Sequence, residues 1–283
     1  MKDKTQATPP RTVPIDRTAF EERDETAVYW LGEAGVLINS HGTLLLVDPV
    51  VSRIPDSILP DHGWLSEVNG NRYLIDLPVE AAHIERLDAV LYTHSDDDHM
   101  GVVTAPMLRP TGCAYHATGE TALKLTDLGV PASRITVHPK LDRFQIGCVQ
   151  VIMTAAYHPW QSSMPEAFHG WHYTEDDCTG YKLITPDGVI WIPGDSLLLE
   201  EHLRNRDVDL LFIDFSSDPF HFGTENAIRL ANALPQAKLI AYHWGTLDMP
   251  DFPPQNADPY VARGFVDRPE RLHILAAGEK YVL

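Results

Sequence analysis

The stretch Thr93-His94-Ser95-Asp96-Asp97-Asp98-His99-Met100-Gly101 follows directly on the apolar run Ala89–Tyr92. It puts two histidines and three aspartates into six residues, His94 to His99. In an extended or tightly looped backbone, alternate side chains project to one side. His94, Asp96 and Asp98 can therefore converge, with His99 turning to the other flank. Acids packed this closely repel one another unless something positive sits among them, and one or two divalent cations would serve. The plainer alternative is a solvated acidic turn with two incidental histidines.

Three further candidates each stand at the end of an apolar run. His158 follows Val151–Tyr157, Asp195 follows Val189–Gly194, and His243 follows Leu239–Tyr242. Sites built from strand ends recur because rigid strands position side chains well. Taken singly, each has a dull reading. Asp195 or Ser196 could cap a helix beginning at Leu197. His158 could be a loop residue before Pro159, and His243 a satisfied half-buried histidine. The joint pattern favours a shared site. The chain's 14 histidines are spread along it, so they form neither a tag nor a metal-storage tract.

Composition narrows the substrate. There are 40 acids against 22 Lys and Arg, a formal net charge of −18. Nucleic-acid binders need a basic footprint, and none is visible. Neither nucleic acid nor an anionic membrane is expected as a partner; a small-molecule substrate is. No apolar run approaches the ~20 residues of a membrane-spanning helix, and Met1–Arg17 is polar, unlike a signal peptide. A cytoplasmic location is the expectation. Cys113, Cys148 and Cys178 share no short spacing and read as small, partly buried hydrophobes, not as a disulfide framework or a zinc site.

With 283 residues and a 44% hydrophobic fraction, the chain can bury a large core without staples. Residues 1–25 read as an extended arm and 26–283 as one domain. Strands are expected at Val28–Leu31, Val36–Asn39, Leu44–Val47, Ala89–Tyr92, Ala114–His116 and Val149–Thr154. Tyr181–Thr185 and Val189–Pro193 pair across a Pro-Asp-Gly turn. Leu210–Asp214, Leu239–Tyr242 and a last strand, Leu272–Ala276, follow. Helices are expected at Val79–Leu87, after Thr118, from Leu197 to about Arg204, and after a Thr224 cap. Val50–Arg72 reads as a long loop or insertion, and a homo-oligomer could use it. Such a chain suits two packed sheets with helices outside.

The order His94-x-Asp96-x-Asp98-His99, then His158, Asp195 and His243, resembles the metallo-β-lactamase-fold superfamily of metallohydrolases. The lead-in Trp30-Leu31-Gly32, then Leu45-Leu46-Val47-Asp48-Pro49, is similar too. Gly180-Tyr181, Gly194-Asp195-Ser196 and Tyr242-His243-Trp244-Gly245-Thr246 look most like the branch of ascorbate-6-phosphate lactonase and related lactonase-like or phosphodiesterase-like proteins. The resemblance spans roughly residues 26–283. It implies an α/β (α+β) fold, a four-layer αβ/βα sandwich with metals at one edge between the sheets.

Carried over by position, the resemblance implies two divalent ions. His94, Asp96 and His158 would hold the first, Asp98, His99 and His243 the second, and Asp195 would bridge them. The family usually has histidine where this chain has Asp96. A harder oxygen donor tilts the site towards Mn²⁺, Fe²⁺ or Mg²⁺, with Zn²⁺ still compatible. The implied chemistry is hydrolysis, a metal-bridging hydroxide attacking a small ester, lactone or phosphodiester. Asp98 would orient the nucleophile or pass a proton, and Asp48 would steady a ligand histidine. Trp160, Trp171 and His172, with His169, would form a pocket wall. His221, before a helix start, would donate to the substrate's oxyanion. Glu33, beside Gly32, reads as a solvated turn residue in preference to one that approaches the site from the first hairpin, and His116 and His138 read as structural. Other readings are a nuclease of the same fold, or a non-enzymatic metal- or ligand-binding protein on this scaffold.

Overall fold

Strand β1 (Thr26–Gly32) is buried at every position because both of its faces are covered. Val28 and Trp30 point into the core between two sheets. Ala27, Tyr29 and Leu31 join a second core on the far side of the same sheet. Such two-sided burial is why the run reads as continuous apolar sequence and not as an alternation. The structure, a computed structural model, describes residues 7–52, 72–160, 173–248 and 257–283.

In chain order the strands after β1 are β2 (Gly35–Ser40), β3 (Thr43–Val47), β4 (Arg72–Tyr73), β5 (Ala89–Leu91), β6 (Ala114–Ala117), β7 (Ile135–Val137) and β8 (Arg143–Ile146). Then come β9 (Val149–Ala155), β10 (Thr179–Ile184), β11 (Val189–Ile192), β12 (Leu210–Ile213), β13 (Lys238–Ala241), β14 (Leu247–Asp248), β15 (Leu272–His273) and β16 (Lys280–Val282). Among the described residues they form two seven-stranded sheets, ordered β16-β1-β2-β3-β5-β6-β7 and β15-β13-β12-β11-β10-β9-β8, and a small β14-β4 pair. Each sheet is antiparallel in one half and parallel in the other.

The helix Gly119–Asp127 covers the outer face of the first sheet through Ala122 and Leu125. The helix Thr224–Ala233 covers the second sheet through Ala227, Leu230 and Ala231. This is the expected two-sheet sandwich with helices outside. Parallel strands β3, β5, β11, β12 and β13 all end at one edge of it, and chain segments leaving strand ends are where such folds place ligands.

Several local expectations need correction. Val79–Leu87 forms only a short 3₁₀ turn, Ala81–His83. Its buried residues Val79, Ala81, Ile84 and Leu87 do not repeat at the spacing of an α-helical stripe. The helix after Asp195 spans only Glu200–Arg204, because Ser196 is engaged instead in accepting the Tyr157 N–H and donating to the Leu197 carbonyl. Thr224 does not cap its helix; Gly223 holds that position, and the Thr224 hydroxyl donates to the Phe215 carbonyl. The last strand is β16, which closes the first sheet against β1. Cys113 and Cys178 are buried, but Cys148 is exposed. Residues 53–71, the bulk of the Val50–Arg72 segment, lie outside the described residues.

Residues 7–25 run along the domain, tied by Val13 N–H to the Ala277 carbonyl and Ile15 N–H to the Pro78 carbonyl. No described helix is long and apolar enough to cross a membrane.

Candidate metal centre

The loop after β5 alternates as its sequence suggests, and the structure shows what holds the alternation. On the outward side, Thr93 donates its N–H and hydroxyl to the two oxygens of Asp48, at 2.7 and 2.6 Å. The Ser95 carbonyl and the Asp97 carboxylate are both taken by the Lys124 ammonium. The Ser95 hydroxyl meets the Tyr173 hydroxyl at 2.9 Å. On the inward side lie His94, Asp96, Asp98 and His99.

Five imidazoles then close a ring. Centroid separations run 4.0 Å from His94 to His99, 5.0 Å to His243, 5.2 Å to His221, 5.3 Å to His158 and 5.2 Å back to His94. Asp195 stands inside it. Its Oδ2 lies 2.7 Å from His221 Nε2, 3.2 Å from His99, 3.9 Å from His94 and 4.0 Å from His158. Its Oδ1 lies 3.7 Å from His243 Nε2. Asp96 Oδ2 sits between His94 and His158, at 3.4 and 3.3 Å. Asp98 Oδ2 is 3.5 Å from His243 Nε2.

Hydrogen bonds fix which nitrogen each ring turns inward. His99 Nδ1 donates to Asp48 at 2.9 Å, and His158 Nδ1 donates to the Phe220 carbonyl at 3.1 Å. The Thr93 hydroxyl spends its proton on Asp48, so it accepts from His94 Nδ1 at 3.0 Å. In all three rings Nε2 is the atom presented to the centre. Partners of this kind are what orient histidine ligands of metals.

The centre is dominated by buried carboxylates. Burial opposes charge on His99, His221 and His243, but the facing carboxylates, Asp195 first, outweigh it and raise all three above the usual imidazole range. Burial, and next His99, depress His94. His221, His99 and His243 overcome burial to hold Asp195 well below the ordinary carboxylate range. Protons on imidazoles and divalent ions are alternative ways to balance such a cluster, and one Nε2 cannot carry both.

The donor set fits metal ions. Three groups, His94/His158/Asp195, Asp98/His99/His243 and Asp195/His221/His243, each bring ligand atoms within 4.8 Å of one another. His94 Nε2 and Asp195 Oδ1 are buried and make no hydrogen bond. Such atoms are costly to leave unsatisfied, and an ion would take up both lone pairs.

All seven residues of the expected ligand set thus lie together. Asp48 lies beneath them. His221 faces Asp195 and belongs to the ring, where a substrate contact was expected. Trp160 packs edge-on against Phe220, in the segment that carries His221. Trp171 and His172, with His169, lie outside the described residues. His116 and His138 are away from the centre, hydrogen-bonded to each other at 2.8 Å and stacked on Phe144.

Glu33 corrects the sequence reading. It is buried, not solvated, with Oε1 3.7 Å from His243 Nε2. The β1–β2 turn carries it in, and Thr246 holds it, accepting its N–H at 2.9 Å and donating to Oε2. Glu33, Asp48 and His243 all have left-handed backbones, φ 44°, 44° and 58°. Such conformations are uncommon outside glycine and cluster where function fixes a side chain. The sequence gap of 213 residues between Glu33 and Thr246 concealed the contact.

Fold and centre together define the metallo-β-lactamase-fold class. The chain belongs to the family described as Beta-lactamase superfamily domain, whose model matches residues 43–244. A UPF0173 metal-dependent hydrolase of Shouchella clausii is 27% identical over 250 residues, covering 83% of this chain and 90% of the relative. Among solved structures, a possible metal-dependent hydrolase from Veillonella parvula aligns with TM-score 0.70 at 17% identity, over 92% of this chain and 100% of the other. An isothiocyanate hydrolase from Delia radicum gut bacteria aligns with TM-score 0.68 at 17% identity, over 91% and 98%. At these identities the two structures speak for the fold.

Proposed function

We propose that the chain is a binuclear metal-dependent hydrolase acting on a small ester, lactone or phosphodiester. His94, Asp96 and His158 would hold one divalent ion, Asp98, His99 and His243 the other, with Asp195 between them. The observation that carries this reading is Asp195 at the middle of five inward-facing imidazoles, with a buried oxygen to spare. The Shouchella clausii relative, named as a metal-dependent hydrolase, supports the reading. Three carboxylates in the ligand set, Asp96 among them, favour Mn²⁺ or Fe²⁺ over Zn²⁺.

Bound ions would polarise the substrate's carbonyl or phosphoryl oxygen and bring the pKa of water near neutrality. The chain's own groups do the rest. Asp98, on the His243 side, accepts a proton from the attacking water and returns it to the leaving group. His221 Nε2 donates to Asp195 Oδ2 and fixes that carboxylate's direction. Asp48 holds His99 and, through Thr93, His94. Trp160, packed on Phe220 beside His221, would line the wall that receives a small molecule, and the net charge of −18 disfavours a polyanion.

The experiment is a panel of lactones, p-nitrophenyl esters and bis-p-nitrophenyl phosphate, assayed with Mn²⁺-loaded protein. Turnover of at least one class is expected, abolished by chelation and lowered ~10³-fold or more by Asp195→Ala, on the scale of lost transition-state stabilisation. Turnover indifferent to both chelator and Asp195→Ala would overturn the reading.

A further inference from the structure

Lys124 is the group in the molecule that its sequence position least prepares for. It sits on the helix Gly119–Asp127, between the apolar positions Ala122 and Leu125, yet is only 3% exposed. Lysine is almost never buried so deeply unless paired. Here it reaches under the ligand loop and donates to the Ser95 carbonyl at 2.5 Å and to Asp97 Oδ1 at 2.8 Å. Both side chains of that pair are nearly closed to solvent, at 4% and 8%. A buried ion pair is costly to assemble and costlier to break on one side. Screening by water is weak there, so the pair fixes positions firmly.

Its place matters. Asp97 is the middle one of three consecutive aspartates, and its neighbours Asp96 and Asp98 face the imidazoles. Nothing in the residue type distinguishes the three. The loop's alternation sends the middle one outward, and the ammonium behind the loop binds its carboxylate there. The Ser95 carbonyl, held by the same ammonium, lies between His94 and Asp96.

We propose that Lys124 is a positioning residue of the ligand loop: it withdraws Asp97 from the acid run, so that Asp96 and Asp98 alone meet the ions. The inference rests on the reading of the centre as a metal site. Without Lys124, Asp97 loses the ammonium that holds it behind the two neighbouring carboxylates, and the loop rearranges around it. Without Asp97, the ammonium loses its carboxylate in the ligand loop and adds positive charge behind a cation site. Removal of both charges spares the centre either fault.

The test measures Mn²⁺ affinity by competition with a fluorescent chelator for wild type, Lys124→Met, Asp97→Asn and the double variant. Chelator-treated samples of each are melted in parallel. Each single variant is expected to bind about 10- to 100-fold more weakly, the scale for residues that support metal ligands. The double variant is expected to recover about tenfold or more over either. Lys124→Met that binds as wild type, or a double variant no tighter than Asp97→Asn, overturns the proposal; the second comparison stands even if Lys124→Met does not fold. A change in melting temperature with affinity unchanged marks a merely structural lysine and also overturns it. Wild type that binds no Mn²⁺ defeats the metal-site reading instead.

Discussion

Asp48 Oδ2 accepts from His99 Nδ1 at 2.9 Å and from the Thr93 hydroxyl at 2.6 Å, so one buried oxygen orients a histidine of the candidate centre and the start of its loop. The other oxygen takes the Thr93 N–H. Asp48→Asn keeps the left-handed backbone, which asparagine tolerates, but removes the charge and one acceptor. Metal affinity is expected to fall about 10- to 100-fold, with circular dichroism unchanged. Chelator competition measures it; wild-type affinity would show that Asp48 only closes a turn.

Thr246 makes two hydrogen bonds to Glu33, and burial pushes the Glu33 carboxyl above its ordinary pKa. Thr246→Val conserves shape but strands a buried N–H and a carboxyl oxygen. Each such loss costs about 1–3 kcal/mol. Urea unfolding of the chelator-treated protein should show a loss of about 2–6 kcal/mol for the two together, with Thr246→Ser close to wild type. Equal stability of valine and threonine variants would contradict the contact.

Gly194 has φ 68°, and a Cβ there would stand 2.7 Å from the Thr179 carbonyl oxygen and 3.0 Å from Thr93 Cβ. It therefore lets β11 turn into Asp195 while passing close beneath the ligand loop. Gly194→Ala should lower the melting temperature and weaken metal binding together, since relief of the clash moves Thr93 or Asp195. A variant with lowered melting temperature and normal affinity would show that the strain is absorbed elsewhere.

His116 lies away from the centre, and burial, then His138, lower its pKa to about 4 from an ordinary 6.5. Below 6.5 the unfolded chain binds a proton that the folded chain refuses. The folded state therefore loses stability as pH falls from about 6.5 towards 4. His116→Gln removes this contribution. Melting temperatures of chelator-treated protein between pH 7 and 4.5 should fall less steeply for the variant; parallel curves would contradict the shift.

The residues of the candidate centre could be read from the chain because their types are improbable together at strand ends: acids beside histidines at 94–99, then His158, Asp195 and His243. The long apolar runs marked most strands for the same reason, since β1 and β12 are buried on both faces. What stayed hidden depends on contacts across the fold. Glu33 looks like a turn residue until Thr246 meets it. Lys124 looks like the polar face of a helix until Asp97 turns out to lie beneath it. β16, three residues long, carries no pattern of its own and forms because β1 offers an unpaired edge. His221 gave a signal, a histidine before a helix, but not its partner, Asp195.

The most direct measurement is metal content. Protein purified without chelator, dialysed against Mn²⁺, Fe²⁺ or Zn²⁺ and then against metal-free buffer, is analysed by plasma mass spectrometry beside Asp195→Ala. About two ions per wild-type chain are expected, and fewer than one for the variant, as the proposed binuclear reading requires. Wild-type protein that is folded yet retains no ion would contradict it.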